Sequence, residues 1–221
     1  FGWRPTWRAW LPLAPVVLLF GLILIPNASA VAALPAEAKD ADNHALALQM
    51  RDVTRAYASR EAFDEVLENA HNLNLTDLVV PYLHNQDRKD LPAYQRTAEK
   101  LNLGAEQAAE AGVRLAYHNH AFEFKPMQGN KTGFDIFVDS FSQKMHFEVD
   151  VFWVKLGGIE PIDLLQKLNN RVSQLHLKDL KKGSVCPNFG KIEPEAFDEI
   201  GDGMIPIIPI MRLAQNLGIK H

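Results

Sequence analysis

The chain has 221 residues, 47% of them hydrophobic, which is enough apolar material for one well-buried domain. A formal net charge of -4 offers no broad basic surface for neutralising phosphates, so nucleic acid is set aside as a partner. The single cysteine, Cys186, excludes an internal disulfide framework and a cysteine-based zinc knuckle, and leaves the redox compartment open.

Residues 1–30 differ from the rest of the chain. Arg4 and Arg8 precede the apolar run from Leu11 to Pro26, and Ala28, Ser29 and Ala30 then have the small-x-small form of an export cleavage site. The run is shorter than the roughly 20 residues that cross a hydrocarbon core. It predicts a signal peptide or a membrane anchor. An authentic signal places the protein in the periplasm or outside the cell, with transient membrane contact through this segment; otherwise the protein is cytoplasmic. Residues 31–60 read as a linker and a poorly patterned helical region, and residues 61–221 as the folded domain.

Phe63, Val66, Leu67 and Ala70 recur at three- and four-residue intervals, which predicts a helix within residues 46–70. Leu78, Val79 and Val80 form a short β-prone run ended by Pro81. Pro92 opens a second helix, because its missing amide hydrogen falls where a helix has unused donors. Tyr94, Ala98, Leu101, Ala105 and Ala108 continue its buried stripe until Gly112, which tolerates left-handed dihedrals. Strands follow over Val113 to Tyr117 and Met145 to Asp150. Gly157 and Gly158 break the chain before Pro161 starts another helix, with Ile162, Leu165 and Leu168 on one side, and Val172, Leu175 and Leu177 make the strand around His176. The intervals of 32 residues from His118 to Asp150 and 26 from Asp150 to His176 fit strand, crossover helix, strand. That spacing favours a parallel α/β sheet, either a closed barrel or a doubly wound open sheet, and no dinucleotide-type glycine spacing supports the latter.

Several polar residues sit at the strand ends. His118 and His120 are two apart and emerge on one side, as metal ligand or substrate contact. Glu123, between Phe122 and Phe124, is set in an apolar context that raises a carboxyl pKa, and suits metal ligation or proton exchange. Asp150 ends a hydrophobic strand with Glu148 in the same alternation phase. It either binds a cation or caps local backbone groups at the turn. Trp153 can wall a carbohydrate-like ligand or pack in the core. His176 is a metal-ligand candidate, Lys178 can attract a carbonyl oxygen or an anionic group, and Asp179 can orient a histidine or cation or belong to a solvated charge cluster. Two nitrogen donors and two carboxylates on adjacent strands can build a metal site with an open position. Cys186 lies in a loop with no activating partner.

The blocks Gly112–Phe124, Phe147–Val154 and Gln174–Asp179, with Val79 to Tyr82 and Gly201 to Gly203, resemble the xylose-isomerase-like sugar phosphate isomerase/epimerase family over roughly residues 62 to 221. The resemblance implies a TIM barrel with a divalent metal, Mn, Mg, Zn or Co, near the carboxyl-terminal strand ends. It implies Asp150 and His176 as metal ligands. His118 stands where the family's earlier glutamate ligand is usual and Glu123 comes after it, so His118, Glu123 or both complete that side. The family has a further strand bearing a glutamate beyond Gly218 to His221, so the resemblance implies an incomplete (β/α)8 barrel. The implied reaction is isomerisation or epimerisation of a sugar or related polyhydroxy carbonyl compound through an enediolate, with Glu123 as base, His118 assisting proton return and Lys178 in the catalytic set. His120, Trp153 and Lys178 would contact the substrate. A metal-dependent lyase, a glycoside-cleaving enzyme acting on an oxidised sugar, and a noncatalytic carbohydrate-binding barrel are the alternatives.

Overall fold

The computed structural model describes residues 60–219. The export-like segment, the linker and most of the region expected to be helical before Arg60 lie outside the described residues. Helix α1 (Arg60–Asn72) buries Phe63, Leu67 and Ala70, the stripe its periodicity predicts. Strand β1 (Asp77–Val80) is next, buried at all four positions as a parallel strand is.

Helix α2 (Leu91–Glu110) starts where Asp90 accepts a hydrogen bond from the Ala93 amide at 2.7 Å, with Pro92 in its first turn. Tyr94, Ala98, Leu101, Ala105 and Ala108 are buried along it, and Gly112 leaves it at a φ of 75°, where a side chain would be strained. β2 (Arg114–His118) comes next. Thr132 and Asp135 form a reciprocal capping box that opens α3 (Gly133–Ser140). β3 (Met145–Asp150) passes directly into a short helix α4 (Val151–Leu156), and α5 (Pro161–Leu168) leads to β4 (Val172–His176). On α5 the fully buried positions are Pro161, Leu164, Leu165 and Leu168, with Ile162 only half-buried. A small pair, β5 (Asp179–Leu180) and β6 (Phe197–Asp198), precedes α6 (Ile207–Asn216).

β1, β2, β3 and β4 lie side by side in that order and all parallel, the outcome of crossover connections. β5 and β6 pair separately and antiparallel. Strand alternation divides the sheet. Leu78, Val80, Leu115, Tyr117, Met145, Phe147 and Val149 join the apolar core. There Phe137 stacks on Phe141 at 4.6 Å and meets Tyr117 at 4.7 Å, each buried ring contributing roughly 1.5–3 kcal/mol. The alternate positions on β2, β3 and β4 carry His118, Glu148, Asp150 and His176. The register sets His118 beside Glu148 and Asp150 beside His176, so these four side chains share one end of one face. Six helices and two partial sheets among the described residues make an incomplete TIM-barrel-like α/β fold.

Candidate metal centre

Asp150 is the hinge of the site. Its Oδ1 accepts hydrogen bonds from the Phe152 and Trp153 amides at 3.0 and 3.2 Å, which starts α4. The two roles the sequence offers for this residue are therefore compatible, one for each oxygen. Oδ2 faces the polar cluster, where it lies 3.6 Å from His118 Nε2, 3.4 Å from His176 Nδ1 and 2.8 Å from the Lys178 ammonium.

His118, Asp150 and His176 place their ligand atoms within 4.8 Å of one another, and His118 and Asp150 are wholly buried. The separations of 3.4 and 3.6 Å are long for hydrogen bonds. They match the spacing of about 3.4 Å between two atoms each about 2.1 Å from one tetrahedral ion. Charge state agrees with ligation. Burial pushes both His118 and His176 down to about 4, so each imidazole is neutral and carries a lone pair at neutral pH.

Glu148 completes the arrangement from below. Its Oε1 is 2.6 Å from His118 Nδ1; when Glu148 is ionised it accepts, so that nitrogen carries the hydrogen and Nε2 presents its lone pair toward Asp150 and the cluster. Burial, the largest influence, pushes Glu148 up to about 7. Its Oε2 is buried with no hydrogen-bond partner among the described residues, an orphaned polar atom on a side chain that touches the cluster through Oε1. These donors fit a divalent cation.

The remaining expected residues divide into two groups. Lys178 pairs with Asp150 and its Nζ lies 5.9 Å from the centroid of the Trp153 ring. His120 is buried, with its ring 5.1 Å from His118, 5.2 Å from Trp153 and stacked on Phe122 at 5.2 Å. These three surround the cluster. An open cleft of about 410 Å³ adjoins Lys178, lined also by Leu177, Phe197, Asp198 and Glu199.

Glu123 is not brought into the group. Its carboxylate is fully buried, with one oxygen accepting from the Tyr117 hydroxyl and the other from the His120 amide at 2.8 Å. Tyr117 packs against Phe137 and Phe141, on the opposite strand phase from His118. Burial pushes Glu123 up to about 8, the direction its flanking phenylalanines imply, although the Tyr117 and backbone hydrogen bonds pull the other way. Among the described residues, both Asp179 oxygens are engaged by backbone amides. The carboxylate accepts from the amides of Leu180, Gly201, Gly203 and Ile205 at 2.8–3.1 Å and so folds the loop after β6 around itself.

Two site residues escape the sequence reading. Glu148 shares the alternation phase of Asp150, which is a usable signal, but only the β2–β3 register shows that it meets His118. Asn119 reads as a polar spacer between two histidines, yet its side chain is buried against Asp150.

The family model described as the xylose isomerase-like TIM barrel matches residues 43–221. The chain belongs to that family. Among solved structures, it is similar to a sugar phosphate isomerase/epimerase from Parabacteroides distasonis at 22% identity and a TM-score of 0.58, covering 76% of this chain and 55% of that one. It is similar to the IolI protein with a bound zinc atom at 15% identity and a TM-score of 0.55, covering 72% and 56%. It is also similar to the probable 3-DHS dehydratase AsbF of Bacillus anthracis at 12% identity and a TM-score of 0.53, covering 71% and 59%. At these identities the likeness is one of fold, and the chain spans a little over half the length of each. No curated protein matches it.

Proposed function

We propose that the chain supplies the metal site of an isomerase or epimerase acting on a sugar or related polyhydroxy carbonyl compound. The observation that carries this reading is the convergence of His118 Nε2, Asp150 Oδ2 and His176 Nδ1 at the ends of three adjacent parallel strands. Family membership supports the substrate class. His118, Asp150 and His176 would hold the ion, and Glu148 would fix the His118 tautomer. When bound, a divalent cation supplies Lewis acidity toward neighbouring carbonyl and hydroxyl oxygens, which makes the carbon-bound proton between them easier to remove.

The chain's own residues do the rest. The Lys178 ammonium, beside both Asp150 Oδ2 and the Trp153 ring, donates to a substrate oxygen that gains charge as the enediolate forms. Trp153 and His120 wall the site with ring faces suited to the C–H face of a sugar. With both Glu123 oxygens engaged inside the protein, its part is to hold the His120 backbone, and Lys178, paired as an ammonium with Asp150, serves as the proton donor to the substrate oxygen rather than as the base.

Metal affinity tests the ligand set. Titrating zinc or manganese into the full chain by calorimetry should give one site, with Asp150→Ala and His176→Ala each weakening it at least about tenfold while circular dichroism stays unchanged. Unaltered affinity in both variants removes these residues from the ligand set. The fold neighbours include a protein described as a probable dehydratase as well as a sugar phosphate isomerase/epimerase. Identifying the product separates isomerisation from elimination, which begin with the same proton abstraction.

A further inference from the structure

β2 and β3 run in register as far as His118 and Glu148, and backbone pairing stops there. Beyond that point the β2 chain turns away, because the His120 amide is committed to Glu123 and Phe122–Phe124 forms a 3₁₀ turn. Asp150, two residues past the last paired position on β3, would lose its neighbour on that side. The Asn119 side chain takes over: its Oδ1 accepts from the Asp150 amide at 3.0 Å, and its Nδ2 donates to the Asp150 carbonyl at 3.3 Å. Asn119 is 1% exposed and Asp150 0%, so water does not satisfy these groups.

We propose that Asn119 is a positioning residue for the metal centre, its carboxamide acting as a surrogate peptide group that extends the β2–β3 ladder by one residue. The proposal rests on the reading of Asp150 as a ligand. A carboxamide is the side-chain group that presents an acceptor and a donor in the arrangement of a peptide unit. Aspartate has no donor when ionised, and alanine has neither group. The ladder extension matters because it is formed by the residue between two histidines. It lets the chain leave β2 early enough to set His120 against Phe122 and Trp153 while Asp150 stays level with His176. With Oδ1 of Asp150 held by the first amides of α4 and its backbone held by Asn119, only Oδ2 is left to face the cluster. Such support reduces the reorganisation that a ligand undergoes when a cation arrives.

The test uses the full chain and two readouts. Amide hydrogen exchange, followed by NMR without added metal, should show the Asp150 amide exchanging at least about tenfold faster in Asn119→Ala than in wild type. The amides of Leu115, Tyr117 and Val149 should be unchanged. Zinc affinity by calorimetry should fall about 10- to 100-fold in both Asn119→Ala and Asn119→Asp, with circular dichroism showing that both variants are folded. Equal protection of Asp150 in wild type and Asn119→Ala overturns the proposal, as does full zinc affinity in both variants. Failure of the wild type itself to bind zinc or manganese sinks the metal reading instead, while the exchange measurement still decides the role of Asn119.

Discussion

Glu123 shows how one buried side chain makes the whole chain sensitive to pH. Burial outweighs the hydrogen bonds from Tyr117 and the backbone and carries its carboxyl up to about 8, against an ordinary value of 4.5. The folded state therefore binds this proton where the unfolded state has released it. Its contribution to stability is complete below the ordinary value and is lost as pH rises toward about 8. Glu148, raised to about 7, acts in the same sense. The buried histidines act in the opposite sense, but only below their ordinary value of 6.5, because their protons are taken up by the unfolded state alone. Between about pH 6.5 and 8 the carboxyl contribution is thus exposed, with a slope of at most about 1.4 kcal/mol per pH unit for one proton. The thermal midpoint should fall across that window in wild type, and the fall should flatten in Glu123→Gln. The amide keeps one acceptor for the His120 N–H and offers a donor to the Tyr117 hydroxyl, which can rotate to accept it. A parallel pH profile in the variant would show that Glu123 is not the group titrating there.

At the scale of elements, the loop after β6 is organised by an anion from within the chain. Four backbone amides converge on Asp179, which holds that carboxyl below the usual carboxylate range even though burial opposes the shift. A Cβ on Gly203 would meet the Asp179 carboxylate and the Leu180 carbonyl, so the approach requires glycine. Asp179→Ala should cost about 3 kcal/mol, read from the denaturant midpoint, and should speed amide exchange at Gly201, Gly203 and Ile205 while the β2–β3 amides stay protected. Unchanged exchange at those three amides would mean the loop is held by something else. Such long-range wiring is what the sequence conceals. Helix α2 is legible because its signals are local: Asp90 and Pro92 at the start, a periodic stripe, Gly112 at the end. The parallel strands are legible from their 32- and 26-residue spacing. Helix α4 is not, because Val151, Phe152, Trp153 and Val154 have strand-like side chains and the helix is begun by the Asp150 carboxylate. In the site, His118, Asp150 and His176 stand out as polar ends of apolar strands. The roles of Glu148 and Asn119 depend on the β2–β3 register, which no local pattern states.

At the scale of the molecule, the three ligand candidates belong to β2, β3 and β4, consecutive strands of one sheet, so a bound cation ties together segments spread over the sequence from His118 to His176. Binding to the folded state alone must then raise stability by mass action. At a free metal concentration of about 100 times the Kd the gain is about 2.7 kcal/mol, which for a chain of this size lifts the thermal midpoint by roughly 5–10 °C. Chelation should return it to the metal-free value, and in Asp150→Ala, with its affinity at least about tenfold weaker, the shift should be at most about half as large. The donor set also ranks the ions. Two imidazoles and one carboxylate suit zinc, cobalt and manganese, whereas magnesium prefers an all-oxygen shell and keeps its waters. Thermal scans at equal metal concentrations should therefore place magnesium last, with a shift well below that of zinc. A magnesium shift as large as that of zinc would mean that carboxylates such as Glu148, rather than His118 and His176, provide the binding.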